Sequence, residues 1–60
     1  MTTYDACAII EGFDGEDHTE DDIIEAFQFL IDDGIIWRLQ GFYGRAAKQL
    51  IDNGVCQMRG

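Results

Sequence analysis

Residues 19–34 have the sequence Thr-Glu-Asp-Asp-Ile-Ile-Glu-Ala-Phe-Gln-Phe-Leu-Ile-Asp-Asp-Gly, and this stretch decides the fold. Its apolar residues recur three and four positions apart, which is the spacing of one helical face. They are Ile23, Ala26, Phe27, Leu30 and Ile31, with Ile24 and Phe29 beside them. Thr19 and Asp22 have the spacing of a capping box, and Gly34 is a natural left-handed stop. The pattern predicts an amphipathic helix over about residues 19–33.

A shorter helix is predicted on each side of this one, over about residues 3–12 and 41–53. Thr2 and Asp5 repeat the capping-box spacing. The inner face of the first helix would consist of Ala6, Ile9, Ile10 and Phe13. The inner face of the last would consist of Tyr43, Ala46, Ala47, Leu50 and Ile51. Residues 35–40 are predicted to form a short connector with one helical turn, because a lone strand has no pairing partner in so small a chain.

An internal echo supports these helix ends. Leu30-Ile-Asp-Asp-Gly-Ile-Ile36 resembles Leu50-Ile-Asp-Asn-Gly-Val-Cys56. Each copy has an apolar pair, a glycine cap, and apolar residues that fold back onto the last turn. We therefore expect the second and third helices to pack as an antiparallel hairpin, in a single all-α domain of three helices over residues 1–60.

Length and composition set the broad class of the protein. Sixty residues make one domain at most, and 47% hydrophobic residues favour a packed core over disorder. No basic residue precedes an apolar run at the start, so we expect no signal peptide. No apolar stretch approaches the roughly 20 residues of a membrane helix. We expect a soluble, cytoplasmic protein that does not bind membranes.

Charge is distributed unevenly along the chain, whose formal net charge is −8. Residues 1–33 hold eleven acids and no Lys or Arg. Residues 34–60 hold one acid, Asp52, and all four basic residues, namely Arg38, Arg45, Lys48 and Arg59. Direct binding of nucleic acid is disfavoured because phosphate contacts need a basic footprint. A basic partner protein is favoured through electrostatic steering.

The densest acidic stretch is a candidate partner-binding surface. It consists of Asp14, Glu16, Asp17, Glu20, Asp21, Asp22 and Glu25. Such a surface could imitate the phosphates of a nucleic acid and occupy the basic groove of a host enzyme that binds nucleic acid. The alternative is that the charge only aids solubility.

No metal, cofactor or catalytic set is predicted. Counted from Asp14 as position 1, a calcium loop would have Glu25 correctly at position 12, but Thr19 stands where glycine is needed. Two distant cysteines and one histidine are too few for zinc. Cys7, Cys56 and His18 have no spacing that indicates a nucleophile and its base, so we expect a protein that is not an enzyme. The cysteines are expected to be small buried hydrophobes, or alternatively a bridge that closes a long loop.

The segment Trp37-Arg-Leu-Gln-Gly-Phe-Tyr-Gly-Arg45 is the most distinctive and gives a second candidate surface. Trp, Tyr and Arg are the usual anchors of interfaces, so the candidate partner-binding residues are Trp37, Arg38, Phe42, Tyr43 and Arg45. The alternative is that Trp37 and one ring of Phe42 or Tyr43 complete the core. Nearby, Asp32 and Asp33 are expected to pair with Arg45 or Lys48.

The run from Phe27 to Cys56 resembles a family of small uncharacterised proteins of tailed bacteriophages and prophages. Their pattern is a Leu-Ile-Asp-x-Gly turn, then Trp-x-Leu-Gln-Gly-x-Tyr-Gly-Arg, then Ala-x-x-Leu-Ile-x-x-Gly. The matching residues are Leu30, Ile31, Asp32, Gly34, Trp37, Leu39, Gln40, Gly41, Tyr43, Gly44, Arg45, Ala47, Leu50, Ile51 and Gly54. The resemblance covers about half the chain, implies a phage origin and carries over no catalytic residue.

These observations lead to two functional hypotheses. The first is a phage accessory protein without enzymatic activity, which binds and modulates a host protein in the bacterial cytoplasm, by inhibition in the simplest case. The second is a self-assembling structural protein, a homo-oligomer in which the acidic half of one copy pairs with the basic half of another.

Overall fold

A computed structural model describes residues 1–58 and shows an all-α chain of three helices, as predicted. The helices are α1 (Thr3–Glu11), α2 (Glu20–Asp33) and α3 (Gly41–Asp52). A short 3-10 helix, Ile35–Arg38, connects α2 to α3 and supplies the single helical turn expected there. Within the described residues no helix is both long and apolar enough to cross a bilayer.

Both predicted capping boxes are present. Thr19 Oγ1 accepts from the Asp22 amide at 3.2 Å, while Asp22 Oδ2 accepts from the Thr19 amide at 3.1 Å. Thr2 and Asp5 make the same pair of bonds at 3.1 and 3.2 Å. Each box satisfies backbone donors that a helix start leaves without partners. The starts of α1 and α2 are therefore set by local sequence.

The core is built on the inner face of α2. Ala26, Phe27, Leu30 and Ile31 are buried, and Leu30 is fully inaccessible. α1 adds small residues, α3 adds a tyrosine and an alanine, the 3-10 helix adds an isoleucine, and the segment after α3 adds a cysteine. These further buried residues are Ala6, Ala8, Ile36, Tyr43, Ala47 and Cys56. The predicted α2 stripe is thus confirmed, with Ile23, Ile24 and Phe29 partly buried beside it.

The echoed turns adopt the same backbone conformation at their glycines. Gly34 has φ +82° and Gly54 has φ +76°, both in the left-handed region. The Gly34 amide donates to the carbonyl of Leu30, and the amides of Val55 and Cys56 both donate to the carbonyl of Leu50. In each case the chain folds back and buries an apolar side chain, Ile36 after the first glycine and Cys56 after the second.

Two packing predictions are wrong. α2 packs closely along α1, whereas the element that α3 approaches most closely is the 3-10 helix, so α2 and α3 do not form the expected hairpin. Phe13 lies outside the core and is 52% exposed. Its ring packs edge-on against Tyr4, 5.5 Å between centroids, because α1 ends at Glu11 and Gly12 turns the chain away.

Two side chains tie the later part of the chain to α1 and α2. Tyr43 packs its ring against Phe27, 6.3 Å between centroids, and its hydroxyl donates to the Glu11 carboxylate. Gln28 donates to the carbonyl of Gln57 and accepts from its amide, both at 2.9 Å. The two bonds between Gln28 and Gln57 resemble the reciprocal hydrogen bonds between opposite residues of antiparallel strands. Burial and the Glu11 bond both raise the pKa of Tyr43, so the phenol stays protonated and remains a donor.

Gly34→Ala should lower the free energy of unfolding by roughly 1 kcal/mol, because a Cβ is strained at positive φ. Gly44→Ala is the matched control, since Gly44 lies within α3 and a Cβ there would meet only the Trp37 ring, at an ordinary 3.9 Å. That control should stabilise by about 0.5 kcal/mol through helix propensity. Urea unfolding followed by circular dichroism measures both free energies. A Gly34→Ala protein that is at least as stable as the wild type would contradict the assignment of Gly34 as a left-handed cap.

Candidate functional site

The predicted acidic surface lies on the loop before α2 and on the first two turns of α2. Six of its seven side chains are exposed, and Asp22 is half-buried against its cap. The exposed six are Asp14, Glu16, Asp17, Glu20, Asp21 and Glu25. The α2 capping box places three of the acids in the first helical turn, where negative charge stabilises the helix dipole. One end of α2 is therefore densely negative.

His18 organises the loop that leads into this surface. Its Nε2 lies 2.6 Å from Asp14 Oδ2, and its Nδ1 lies 3.8 Å from Asp22 Oδ2. Asp14 also accepts from the Glu16 amide at 3.1 Å, which closes a tight turn. In the sequence, His18 was considered only as a possible base or metal ligand, because no spacing rule predicts side-chain contacts within a loop.

The two partners shift each other's pKa in opposite directions. The hydrogen bond to Asp14, supported by the charges of Asp22 and Glu16, raises the pKa of His18 above 6.5. The same bond and the Glu16 amide lower the pKa of Asp14 below 3.8. At a pH between the lowered pKa of Asp14 and the raised pKa of His18, the imidazolium and the carboxylate form an ion pair.

Asp14, Glu16 and His18 also bring possible metal-ligand atoms within 4.8 Å of one another. Sequence reasoning did not predict this grouping. Exposed acids often cluster without an ion, and here Asp14 already binds His18. The group offers two carboxylates and one imidazole on an open surface. A structural zinc site has four protein ligands that enclose the ion.

The aromatic and arginine segment divides between the core and the surface. Trp37 is 45% exposed and Phe42 is 39% exposed, with Arg38 and Arg45 exposed beside them. Tyr43 is buried, so its ring is not exposed with the other four candidate partner-binding residues. The core alternative holds for Tyr43, and Trp37 does not complete the core. Trp37, Arg38, Phe42 and Arg45 form what we call the basic–aromatic surface.

The glycines of this segment shape the basic–aromatic surface. A Cβ on Gly41 would come within 3.2 Å of Arg45 Nη1, which shows that the guanidinium folds back over the start of α3. Gly44 lies under the Trp37 ring. Phe42 and Arg45 are three residues apart and therefore share one side of α3. The two glycines thus lie next to a guanidinium and an indole at the surface of α3.

The three described basic side chains, those of Arg38, Arg45 and Lys48, make no ion pair within residues 1–58. Arg59, the fourth basic residue, lies outside the described residues. The expected pairing of Asp32 and Asp33 with Arg45 or Lys48 is not found; Asp32 accepts from Gln28 at 3.0 Å. The reason is the packing already described, since α3 does not run beside α2.

The candidate nucleophiles and base lie in separate surroundings. Cys7 packs against the core near Tyr43, Cys56 is buried with its Sγ 3.8 Å from the Ile24 carbonyl, and His18 lies between Asp14 and Asp22. Both cysteines are free thiols. Burial and the nearby Asp32 charge raise the pKa of Cys56, which keeps that thiol unreactive.

The acidic surface and the Trp37 and Arg38 part of the basic–aromatic surface lie toward opposite ends of α2. The acids precede and begin the helix, whereas Trp37 and Arg38 follow its Gly34 cap. A 14-residue helix spans about 21 Å at 1.5 Å per residue. The structure therefore presents a small, acidic, all-helical domain with two exposed surfaces of opposite local charge.

Residues 6–60 match the family described as Domain of unknown function (DUF7417). Because this match spans most of the chain, the protein belongs to that family. The curated proteins and the solved structures contain no match to the chain.

The His18–Asp14 pair predicts a pH dependence of stability. Because the folded-state pKa of His18 is raised, its stabilising contribution is complete below about pH 6.5 and is lost as pH rises through the folded value. Asp14 has the opposite sign, and its contribution is lost as pH falls through its lowered pKa. Wild-type melting temperature should therefore fall as pH rises above about 6.5, and His18→Gln should flatten that fall.

Asp14→Asn removes the other partner of the ion pair and should also flatten the fall in melting temperature. Since His18 is the only histidine, its ring protons report its pKa directly by NMR. An identical pH dependence in wild type and His18→Gln, or a His18 pKa below 6.5, would rule out the ion pair.

Proposed function

We propose that this protein is a non-enzymatic accessory protein of a tailed bacteriophage or prophage that binds a host protein in the bacterial cytoplasm and modulates it, in the simplest case by inhibition. The acidic surface is the binding surface. The observation that carries the proposal is a run of exposed carboxylates between residues 14 and 25, with no Lys or Arg before residue 34. The phage origin rests on the resemblance of the segment from Phe27 to Cys56.

Charge density supports a partner that normally binds nucleic acid. Glu20, Asp21, Asp22 and Glu25 lie within five residue steps of α2, or about one charge per 2 Å of helix axis. Duplex DNA carries one phosphate charge per about 1.7 Å. A basic groove that holds phosphates would meet a comparable field on this surface. Steering by that field would speed encounter even before close contact.

The rigidity of the acidic surface also supports the proposal. Two capping bonds hold the start of α2, and His18 holds the preceding loop through Asp14. Preorganised groups lose little entropy on binding.

Two matched charge variants test the role of the acidic surface. Asp21→Asn with Glu25→Gln removes two charges from it, and Asp33→Asn with Asp52→Asn removes two exposed charges elsewhere. Both leave the capping residues and the Asp14–His18 pair intact. Host proteins captured from bacterial lysate by the wild type should bind about tenfold more weakly to the first variant and equally well to the second.

The captured partner should be released by rising salt and displaced by duplex DNA. Capture that is insensitive to salt, or that survives in the Asp21 and Glu25 variant, would exclude the acidic surface as the binding site. Circular dichroism of both variants controls for loss of fold.

A further inference from the structure

The basic–aromatic surface lacks a partner within the described chain. In a protein with twelve acids, Arg38, Arg45 and Lys48 form no ion pair among residues 1–58, and Trp37 and Phe42 remain exposed beside them. Arg38 lines the same groove as Asp33, yet the two side chains form no ion pair among residues 1–58. The arginines instead accompany two large apolar side chains, the composition of an interface anchor.

We propose that this surface binds the acidic surface of a second copy of the protein, in a head-to-tail arrangement. The complement to three cations is a dense set of carboxylates, and the chain itself provides one in residues 14–25. Trp37 and Phe42 would lie against the apolar stems and helix backbone at the start of the partner copy's α2. Tyr43 takes no part, since it is buried.

The geometry sets the type of assembly. Two copies that lie side by side with antiparallel α2 helices can make this contact twice about a twofold axis and close as a dimer. Without that axis, the same contact extends into open chains unless the rotation closes a ring. In either case the mean mass rises with protein concentration.

Area and charge make this association weak and dependent on salt. A standard interface takes about 800 Å² from each partner, a large share of the 4160 Å² of this molecule. Each copy also carries a net charge of −8, so the bodies repel one another. At about 0.1 M salt the Debye length is about 10 Å, shorter than the 32 Å long axis. Contacting charges then attract while distant like charges are screened.

Association should therefore be strongest near 0.1 M salt and weaken at both about 0.01 M and about 1 M. Sedimentation equilibrium over micromolar to millimolar protein should show a mean mass that rises above that of the monomer at about 0.1 M salt. Trp37 is the only tryptophan, and its emission should shift to the blue as mass increases. A wild type that stays monomeric at millimolar concentration, or forms a closed dimer that persists at 1 M salt, would overturn the proposal.

Complementary variants give the sharper test. Arg38→Gln with Arg45→Gln keeps the acidic surface, and Asp21→Asn with Glu25→Gln keeps the basic–aromatic surface. Each variant alone should self-associate about tenfold more weakly than the wild type. Mixed together, they should form a 1:1 heterodimer that does not grow further. Variants that associate like the wild type, or that fail to pair when mixed, would refute the head-to-tail contact.

The same experiment separates other occupants of the surface. A monomeric wild type that binds polyglutamate or a single-stranded oligonucleotide, and loses that binding in the Arg38 and Arg45 variant, would assign the surface to another anion. The test uses this protein alone, so it can fail while the proposed host interaction stands, or succeed while that interaction fails. If both hold, self-association and host binding compete for the acidic surface.

Discussion

Burial of one face of α2 is the constraint on which the rest of the structure depends. A chain of 60 residues buries only about 60% of the surface that its unfolded form exposes. Its stability therefore depends on one small core. Ala26, Phe27, Leu30 and Ile31 provide the continuous part of that core. α1, the 3-10 helix, α3 and the segment after α3 each add one or two side chains to it. No other helix buries as many residues.

This arrangement leaves the two ends of α2 for interaction. The start of α2 is fixed by a capping box that favours acids, and the acidic surface extends from it into the loop held by His18. The end of α2 is fixed by Gly34, and the chain that leaves this cap carries Trp37 and Arg38 outward while Ile36 turns inward. Stability and binding thus use different residues along the same short sequence. The proposed host interaction and the proposed self-association draw on these two ends.

Local signals predicted most of the fold. Capping boxes, glycine stops and the α2 stripe depend on residues within one or two turns of each other, so the sequence alone revealed them. The partners of α3 depend on the path of the chain through the 3-10 helix, which no spacing rule describes, and the expected hairpin was wrong for that reason. Phe13 was misplaced because α1 ends two residues earlier than the apolar spacing suggested.

The candidate surfaces were predicted in part. The exposure of the acids could be predicted because closely spaced carboxylates cannot all be buried. Composition could not show which of Tyr43 and Trp37 is buried. Whether each ring is buried depends on how α3 packs: Tyr43, on α3, contacts Phe27, whereas Trp37, on the 3-10 helix, lies over Gly44 of α3 on the surface. The long-range bonds of Tyr43 to Glu11 and of Gln28 to Gln57 join residues 32 and 29 positions apart and left no local pattern.

Native-state hydrogen exchange tests most directly whether one core around α2 holds both surfaces in place. Amides of Phe27, Leu30 and Ile31 should exchange only through global unfolding, and the core amides of α1 and α3, such as those of Ala8 and Ala47, should share that same free energy and its denaturant dependence. Exchange of α3 at a markedly lower free energy than α2, with a smaller denaturant dependence, would show that α3 opens independently. It would contradict the account of a single core that positions both surfaces.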